Sequence, residues 1–250
     1  MSKLTVLDIV QDILNDLDSD DVNSINDTEE ALQIAQIVKT TYEEIISDRQ
    51  WPHLKTLVQL TASGTSDRPT HMSIGDAVQE VLWIQYDKRK LGETKRKFSE
   101  ITYQEPDEFL ASLNGRSSDE SNIDIITDIS GIELLIKTDA APLYYTSFDD
   151  ENLVFDSYDS DVDTTLQTSK TQAYIYKEPT FTIEDTFIPD LPSKNFPYLL
   201  AESKSVAFNA LRQAPNAKEE QRSRRQRTWS ARDKWRTNGA LQVPDYGRKR

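Results

Sequence analysis

Residues 144–156 have the sequence YYTSFDDENLVFD, two short runs of strand-forming residues on either side of an acidic turn. Aromatic and β-branched residues favour strands, and aspartates such as Asp149 and Asp150 favour turns. The stretch therefore predicts a β-hairpin, and it indicates that the middle of the chain forms a sheet.

More strands are predicted on both sides of this hairpin. Strand-forming segments occur at residues 54–60, 81–86, 101–103, 123–127, 132–137 and 165–176. A short helix is predicted at residues 105–110, because Pro106 suits a first helical turn. The segments flanking Ser130 and Gly131 are expected to pair with each other.

Helical spacing of apolar residues appears at both ends of the chain. It predicts helices over residues 4–16, 27–48 and 196–213. A further helix is predicted at 216–235, opened by Pro215 and rich in Arg and Gln, with almost no large aliphatic residues. Asp27 is expected to cap the second of these helices, because a carboxylate accepts hydrogen bonds from free backbone N–H groups.

Helices at both ends with strands between them predict an α+β fold. In this fold, a helical bundle formed by the N- and C-terminal helices carries an inserted antiparallel β-rich domain. The expected parts are N-terminal helices at 1–52, the β-rich domain at 53–178, C-terminal helices at 179–236 and an extended tail at 237–250.

The composition excludes several kinds of chemistry. The chain has no cysteine and 2 histidines, so thiolate sites are absent, and no motif for a phosphate, a dinucleotide or zinc occurs. His53 and His71 are interpreted as turn or surface residues. No catalytic, cofactor or metal site is predicted, and the chain is expected not to be an enzyme.

The N-terminus lacks the apolar run of a signal peptide, and no segment has the roughly 20 apolar residues of a membrane span. We therefore expect no membrane partner.

Acidic loops are the remaining candidates for a metal site. Asp16, Asp18 and Asp20 match the first three ligands of a helix–loop–helix calcium site. Asp21 stands where such a loop needs glycine, so a solvated acidic loop is the favoured interpretation. A later group of aspartates is interpreted as a turn with local hydrogen bonds: Asp156, Asp159, Asp161 and Asp163.

Charge is unevenly distributed along the chain. Residues 201–250 contain 13 Lys/Arg and 5 Asp/Glu, a balance of +8, and the other residues contain 16 and 38, a balance of −22. The basic residues concentrate in the helix predicted at 216–235, where Trp229 and Trp235 are interleaved. Arg with Trp favours a protein interface, while nucleic-acid binding and a merely solvated helix stay open as alternatives.

Several short segments of the sequence resemble one protein family. They are YYTSFDDENLVFDSYD at 144–159, DILNDL at 12–17, VNSI at 22–25, RQWP at 49–52 and SKTQA at 169–173. Together they are similar to the tail tubular protein A, or head-to-tail adaptor, family of podoviruses. The resemblance extends over nearly the whole chain and includes no catalytic motif.

The resemblance implies a structural virion protein of a short-tailed bacteriophage. It implies a ring of about twelve copies between the portal and the tail nozzle protein of the tail tubular protein B type, with DNA passing through the channel during genome ejection. The implied location is the virion tail, assembled in the host cytoplasm.

The family also suggests that the C-terminal segment reaches toward the portal. The expected portal-binding or neighbour-binding residues are Arg222, Arg224, Arg225, Arg227, Trp229, Arg232, Trp235, Arg236 and Tyr246. The alternative function is a nucleic-acid-binding protein that uses the same basic helix.

Overall fold

The structure is a computed structural model that describes residues 3–75, 77–149, 151–213 and 215–237; the side chains of residues 232–237 lie outside the described set. The chain folds into two compact units. One unit comprises the chain up to Leu54 and from Pro179 onward, and the other is Lys55–Glu178.

Five α-helices are found among the described residues. They are α1 Val6–Asp16, α2 Glu29–Ser47, α3 Pro106–Asn114, α4 Phe196–Arg212 and α5 Ala217–Thr237. Short 3₁₀ turns occupy Pro52–Leu54, Thr168–Lys170 and Ser193–Asn195.

Ten β-strands are described, all of them in the unit Lys55–Glu178. They are β1 Lys55–Val58, β2 Thr61–Ala62, β3 His71–Ser73, β4 Val78–Asp87, β5 Phe98–Tyr103, β6 Ile123–Thr127, β7 Glu133–Lys137, β8 Tyr144–Ser147, β9 Asn152–Phe155 and β10 Thr171–Lys177.

The first two helices begin at threonine caps. Thr5 and Asp8 form a reciprocal capping box at the start of α1. The cap of α2 is Thr28, whose hydroxyl accepts a 3.1 Å hydrogen bond from the N–H of Ala31. The expectation that Asp27 caps this helix is wrong, because its carboxylate instead accepts hydrogen bonds from the preceding loop at 2.8 Å.

A buried lysine connects α4 to α1. The Nζ of Lys204 lies 2.5 Å from a carboxylate oxygen of Asp16 and 3.0 Å from one of Asp12. Burial opposes the charged form of Lys204, but the hydrogen bonds to Asp16 and Asp12 outweigh it and raise the pKa of the amine. Helices α1, α2 and α4 also bury an apolar core that includes Ile13 and Leu199.

The strands form one large sheet and one small one. The eight-stranded sheet has the order β1-β10-β4-β5-β8-β9-β3-β2, and β6 pairs with β7 alone. Every pairing in the large sheet is antiparallel except that of β5 with β8, which is parallel.

The predicted fold class, a helical bundle with an inserted antiparallel β-rich domain, is wrong. The fold is dominated instead by a large, curled, mixed sheet that forms a half-barrel. The physical reason is a crossover: after β5 the chain leaves the sheet, forms α3 and the β6–β7 hairpin, and returns as β8 in the same direction as β5. Parallel neighbours need such a long connection.

A buried ion pair holds this crossover to the sheet. Asp156, just after β9, accepts hydrogen bonds from the N–H groups of Leu143 and Tyr144 at 2.9 and 3.0 Å. Its second oxygen lies 3.2 Å from the guanidinium of Arg116, which follows α3. Arg116 also donates to the carbonyl oxygens of Leu135, in β7, and Asp156 at 2.8 and 2.7 Å. One pair thus joins α3, β7, β8 and β9.

We predict that Asp156→Ala lowers the free energy of unfolding by about 3–5 kcal/mol, because it leaves Arg116 buried without a counter-charge. Urea unfolding followed by circular dichroism measures the change. The control is Asp161→Ala, an exposed residue of the following turn, which should change stability by less than about 0.5 kcal/mol. Equal losses in both variants would contradict the role given to Asp156.

Candidate interaction surface

The basic helix α5 is anchored through polar contacts. Ser223 and Ser230 are buried on one face of it. The hydroxyl of Ser230 donates a 3.1 Å hydrogen bond to Asn195, and that of Ser223 donates to Glu202 of α4. Arg49, beyond α2, donates to the backbone carbonyl of Ser230. The sequence analysis found the basic character of α5 but not these long-range partners.

Several arginines of α5 form ion pairs within their own unit. Arg227 lies 2.9 Å from Asp48, whose hydrogen bond and negative charge raise the pKa of the guanidinium. Arg222 lies 3.5 Å from Glu219, and Arg224 lies 3.7 Å from Glu220. These contacts neutralise part of the positive charge that the sequence places here.

Helical geometry brings three of the predicted site residues onto one exposed stripe. Arg222, Arg225 and Trp229 are spaced i, i+3 and i+7, so they lie above one another on the same face. All three are exposed, and 68% of Trp229 is accessible to solvent. We call these three residues the outer stripe.

The other predicted site residues are not part of this stripe. Arg224 and Arg227 project from different faces of α5, as their spacing from Arg222 requires. Arg232, Trp235 and Arg236 belong to α5, but their side chains lie outside the described residues. Tyr246 also lies outside the described residues.

The outer stripe has the chemistry of a protein contact. Arg and Trp are the residues that most often dominate binding energy at interfaces, since both combine large contact area with directional polar groups. A largely exposed Trp next to two arginines can pack against an apolar surface while the guanidinium groups pair with carboxylates.

The acidic candidates are engaged in contacts of their own. Asp16 binds Lys204, Asp163 pairs with Lys170, and Asp159 accepts a 3.2 Å hydrogen bond from the N–H of Asp161. In the part of the chain that the structure describes, no three His, Asp or Glu side chains are grouped as metal ligands.

The sequence analysis missed a buried histidine–aspartate pair. His71, interpreted as a surface or turn residue, is 2% exposed, and its Nε2 lies 2.9 Å from Asp128 in the turn between β6 and β7. Ser130 donates to the same carboxylate through its hydroxyl, at 2.5 Å, and its N–H, at 2.8 Å. The carboxylate stands between hydroxyl and imidazole, so the imidazole cannot act as base for Ser130 as in a catalytic triad.

The pair instead fastens the β6–β7 hairpin to β3. Burial opposes ionisation of Asp128, but the hydrogen bonds from Ser130 and His71 outweigh it and lower the pKa of the carboxyl to about 2. A hairpin of two strands is marginal in isolation, so this contact has a structural role.

Comparison with known proteins gives no relative for this chain, since no family model matches it and no curated protein matches it significantly. Among the described helices, none combines the length and the apolar composition needed to cross a membrane.

We predict an acid-dependent contribution of Asp128 to stability. Its pKa is lower in the folded chain than the ordinary 3.8, so the contribution is present above about pH 4 and is lost as the pH falls toward about 2. The difference in unfolding free energy between wild type and Asp128→Asn should be about 1–2 kcal/mol at neutral pH and should shrink through that window.

Unfolding free energies measured across this pH range test the prediction. Ser130→Ala removes the hydroxyl donor and keeps the backbone N–H, so it should raise the pKa of Asp128 and move the loss to higher pH. A difference between wild type and Asp128→Asn that does not vary with pH would contradict it.

Proposed function

We propose that this chain is a structural virion protein, a head-to-tail adaptor that forms a ring between the portal and the tail nozzle of a short-tailed bacteriophage. In this role it is not an enzyme, it binds the portal protein, the nozzle protein and further copies of itself, and it surrounds the DNA during ejection. It would act in the virion tail after assembly in the host cytoplasm.

The observation that carries the proposal is the outer stripe of α5. Arg222, Arg225 and Trp229 are exposed together on a helix that is fixed to its unit through a different face, the one with Ser223 and Ser230. A fixed helix that presents Arg and Trp to solvent suits a protein contact, because the backbone is already ordered before a partner binds.

The resemblance to the adaptor family gives independent support. Its longest phrase, at 144–159, spans β8, β9 and Asp156, the residue that joins the crossover to the sheet. This segment of sequence forms a structural element and contains no catalytic motif, which agrees with a protein whose role is to hold other proteins together.

Charge favours a protein partner over nucleic acid. Arg224 and Arg227, which lie outside the outer stripe, already pair with carboxylates, and the chain as a whole has a net charge of −14. Binding to a phosphate backbone would require breaking these pairs and would be opposed by the remaining negative charge. Nucleic-acid binding therefore becomes the outcome that would overturn the proposal.

We predict that Arg225→Ala with Trp229→Ala weakens binding to rings of the cognate portal protein by about 30-fold or more, because a central Arg and Trp together contribute roughly 2 kcal/mol or more. Surface plasmon resonance with immobilised portal rings measures the affinity. Arg224→Ala is the matched control, because it removes an exposed charge from another face of α5, and it should change affinity by about twofold at most.

DNA binding is measured with the same variants. The nucleic-acid-binding alternative would replace the adaptor function under two results together. The chain would bind duplex DNA with an affinity that falls steeply with salt and is lost in Arg225→Ala with Trp229→Ala, and it would not bind portal rings.

A further inference from the structure

Among the described residues, strand β4 has an edge with no partner strand over the first half of its length. Strand β10 pairs with β4 from Val78 to Tyr86, whereas β5 pairs on the other edge only from Ile84 to Asp87. The β4–β10 register shifts twice in this half, next to Glu80 and next to Trp83. Such bulges bend a strand and disrupt regular pairing.

A groove lies beside this half of β4. Its volume is about 710 Å³, and its walls include Val81 and Trp83 from β4, Tyr103 from β5, Tyr145 from β8 and Leu153 from β9. A groove of this size and composition falls in the range of protein sites for drug-sized ligands or short segments. Because β4 is bulged here, an occupant would be held mainly by its side chains rather than by a regular ladder.

The charge of the groove selects the kind of occupant. Glu80 and Glu100 line it and are exposed, and in the part of the chain that the structure describes its lining includes no Lys or Arg. The whole unit 55–178 contains 12 Lys/Arg and 23 Asp/Glu, a balance of −11. The site therefore favours an extended segment with apolar side chains and a positive end.

One segment of this chain has these properties. Residues 238–250 have the sequence NGALQVPDYGRKR, with 3 Lys/Arg against 1 Asp, a balance of +2. Leu241 and Val243 alternate with a polar residue, as an extended segment in an apolar groove requires, and Pro244 favours an extended conformation at the residue before it. Fully extended, these residues would span about 43 Å.

We propose that residues 238–250 bind in the β4 groove of a neighbouring copy. Leu241 and Val243 would pack against Trp83 and Tyr103, and the basic end would lie near Glu80 and Glu100. The choice of a second copy as donor rests on the ring proposed above. Each copy then both donates a tail and accepts one, and this head-to-tail arrangement closes into a ring.

The absence of cysteine in the natural chain allows a direct test by cross-linking. Full-length Gln79→Cys, in the groove wall, is mixed with full-length Gln242→Cys carrying a tag of different size, and a short bis-maleimide is added. We expect a cross-linked heterodimer on a denaturing gel at several times the yield obtained when Ser169→Cys, an exposed residue outside the groove, replaces Gln79→Cys. Glu100→Lys in the groove copy, and high salt, should each lower the yield.

A second measurement uses a synthetic peptide of residues 238–250 with cysteine at position 242, in large excess over full-length Gln79→Cys, and the adduct is quantified by mass spectrometry. Yields equal to the Ser169→Cys control in both measurements would overturn the proposal. Preferential cross-linking within one chain, in the double variant Gln79→Cys with Gln242→Cys, would overturn the assignment to a neighbouring copy. No portal protein is present, so the result is independent of portal binding.

Discussion

The buried pair of Asp156 and Arg116 is the contact on which the architecture of residues 55–178 depends. The parallel pairing of β5 with β8 involves only two residue pairs, which is too few to fix the position of a returning chain. Asp156 adds two hydrogen bonds to the start of β8, and Arg116 connects the same carboxylate to the end of α3 and to β7. Because both side chains are largely buried, neither can be lost without leaving an unpaired charge.

Local features of the structure could be predicted from the sequence, because the residues that determine them are neighbours along the chain. The apolar spacing placed α1, α2 and α4, and Pro215 with the Arg-rich composition placed α5, within a few residues of their observed bounds. The 144–156 hairpin forms as β8 and β9. The cap of α2 was misplaced by one residue, since Asp27 and Thr28 are both good caps and only the loop geometry decides between them.

Features that depend on distant residues could not be predicted in this way. The mixed sheet follows from a crossover between β5 and β8, and no local pattern specifies which strands become neighbours. His71 gave no signal of burial, because its partner Asp128 lies 57 residues away. The outer stripe was visible as composition, but the pairing of Arg227 with Asp48, 179 residues away, decides which arginines remain available to a partner.

The proposed contacts between copies depend on the opposite charges of the C-terminal region and the rest of the chain. The basic residues near the C-terminus stand against an acidic remainder, and opposite charge of this kind gives orientation and register when copies associate. Interfaces in a stable closed ring each need roughly 1,000 Å² or more of buried surface. A contact through α5 and a contact through the β4 groove would divide that area between two separate surfaces of the chain.

The central claim, that this chain is a ring-forming adaptor, is tested most directly by its mass in the presence of the portal. Light scattering on a sizing column gives the mass of the purified chain alone and after mixing with portal rings. The account predicts that about twelve copies add to each portal ring, as a closed symmetric partner requires. An unchanged portal mass, together with a shift of the chain on DNA, would contradict it.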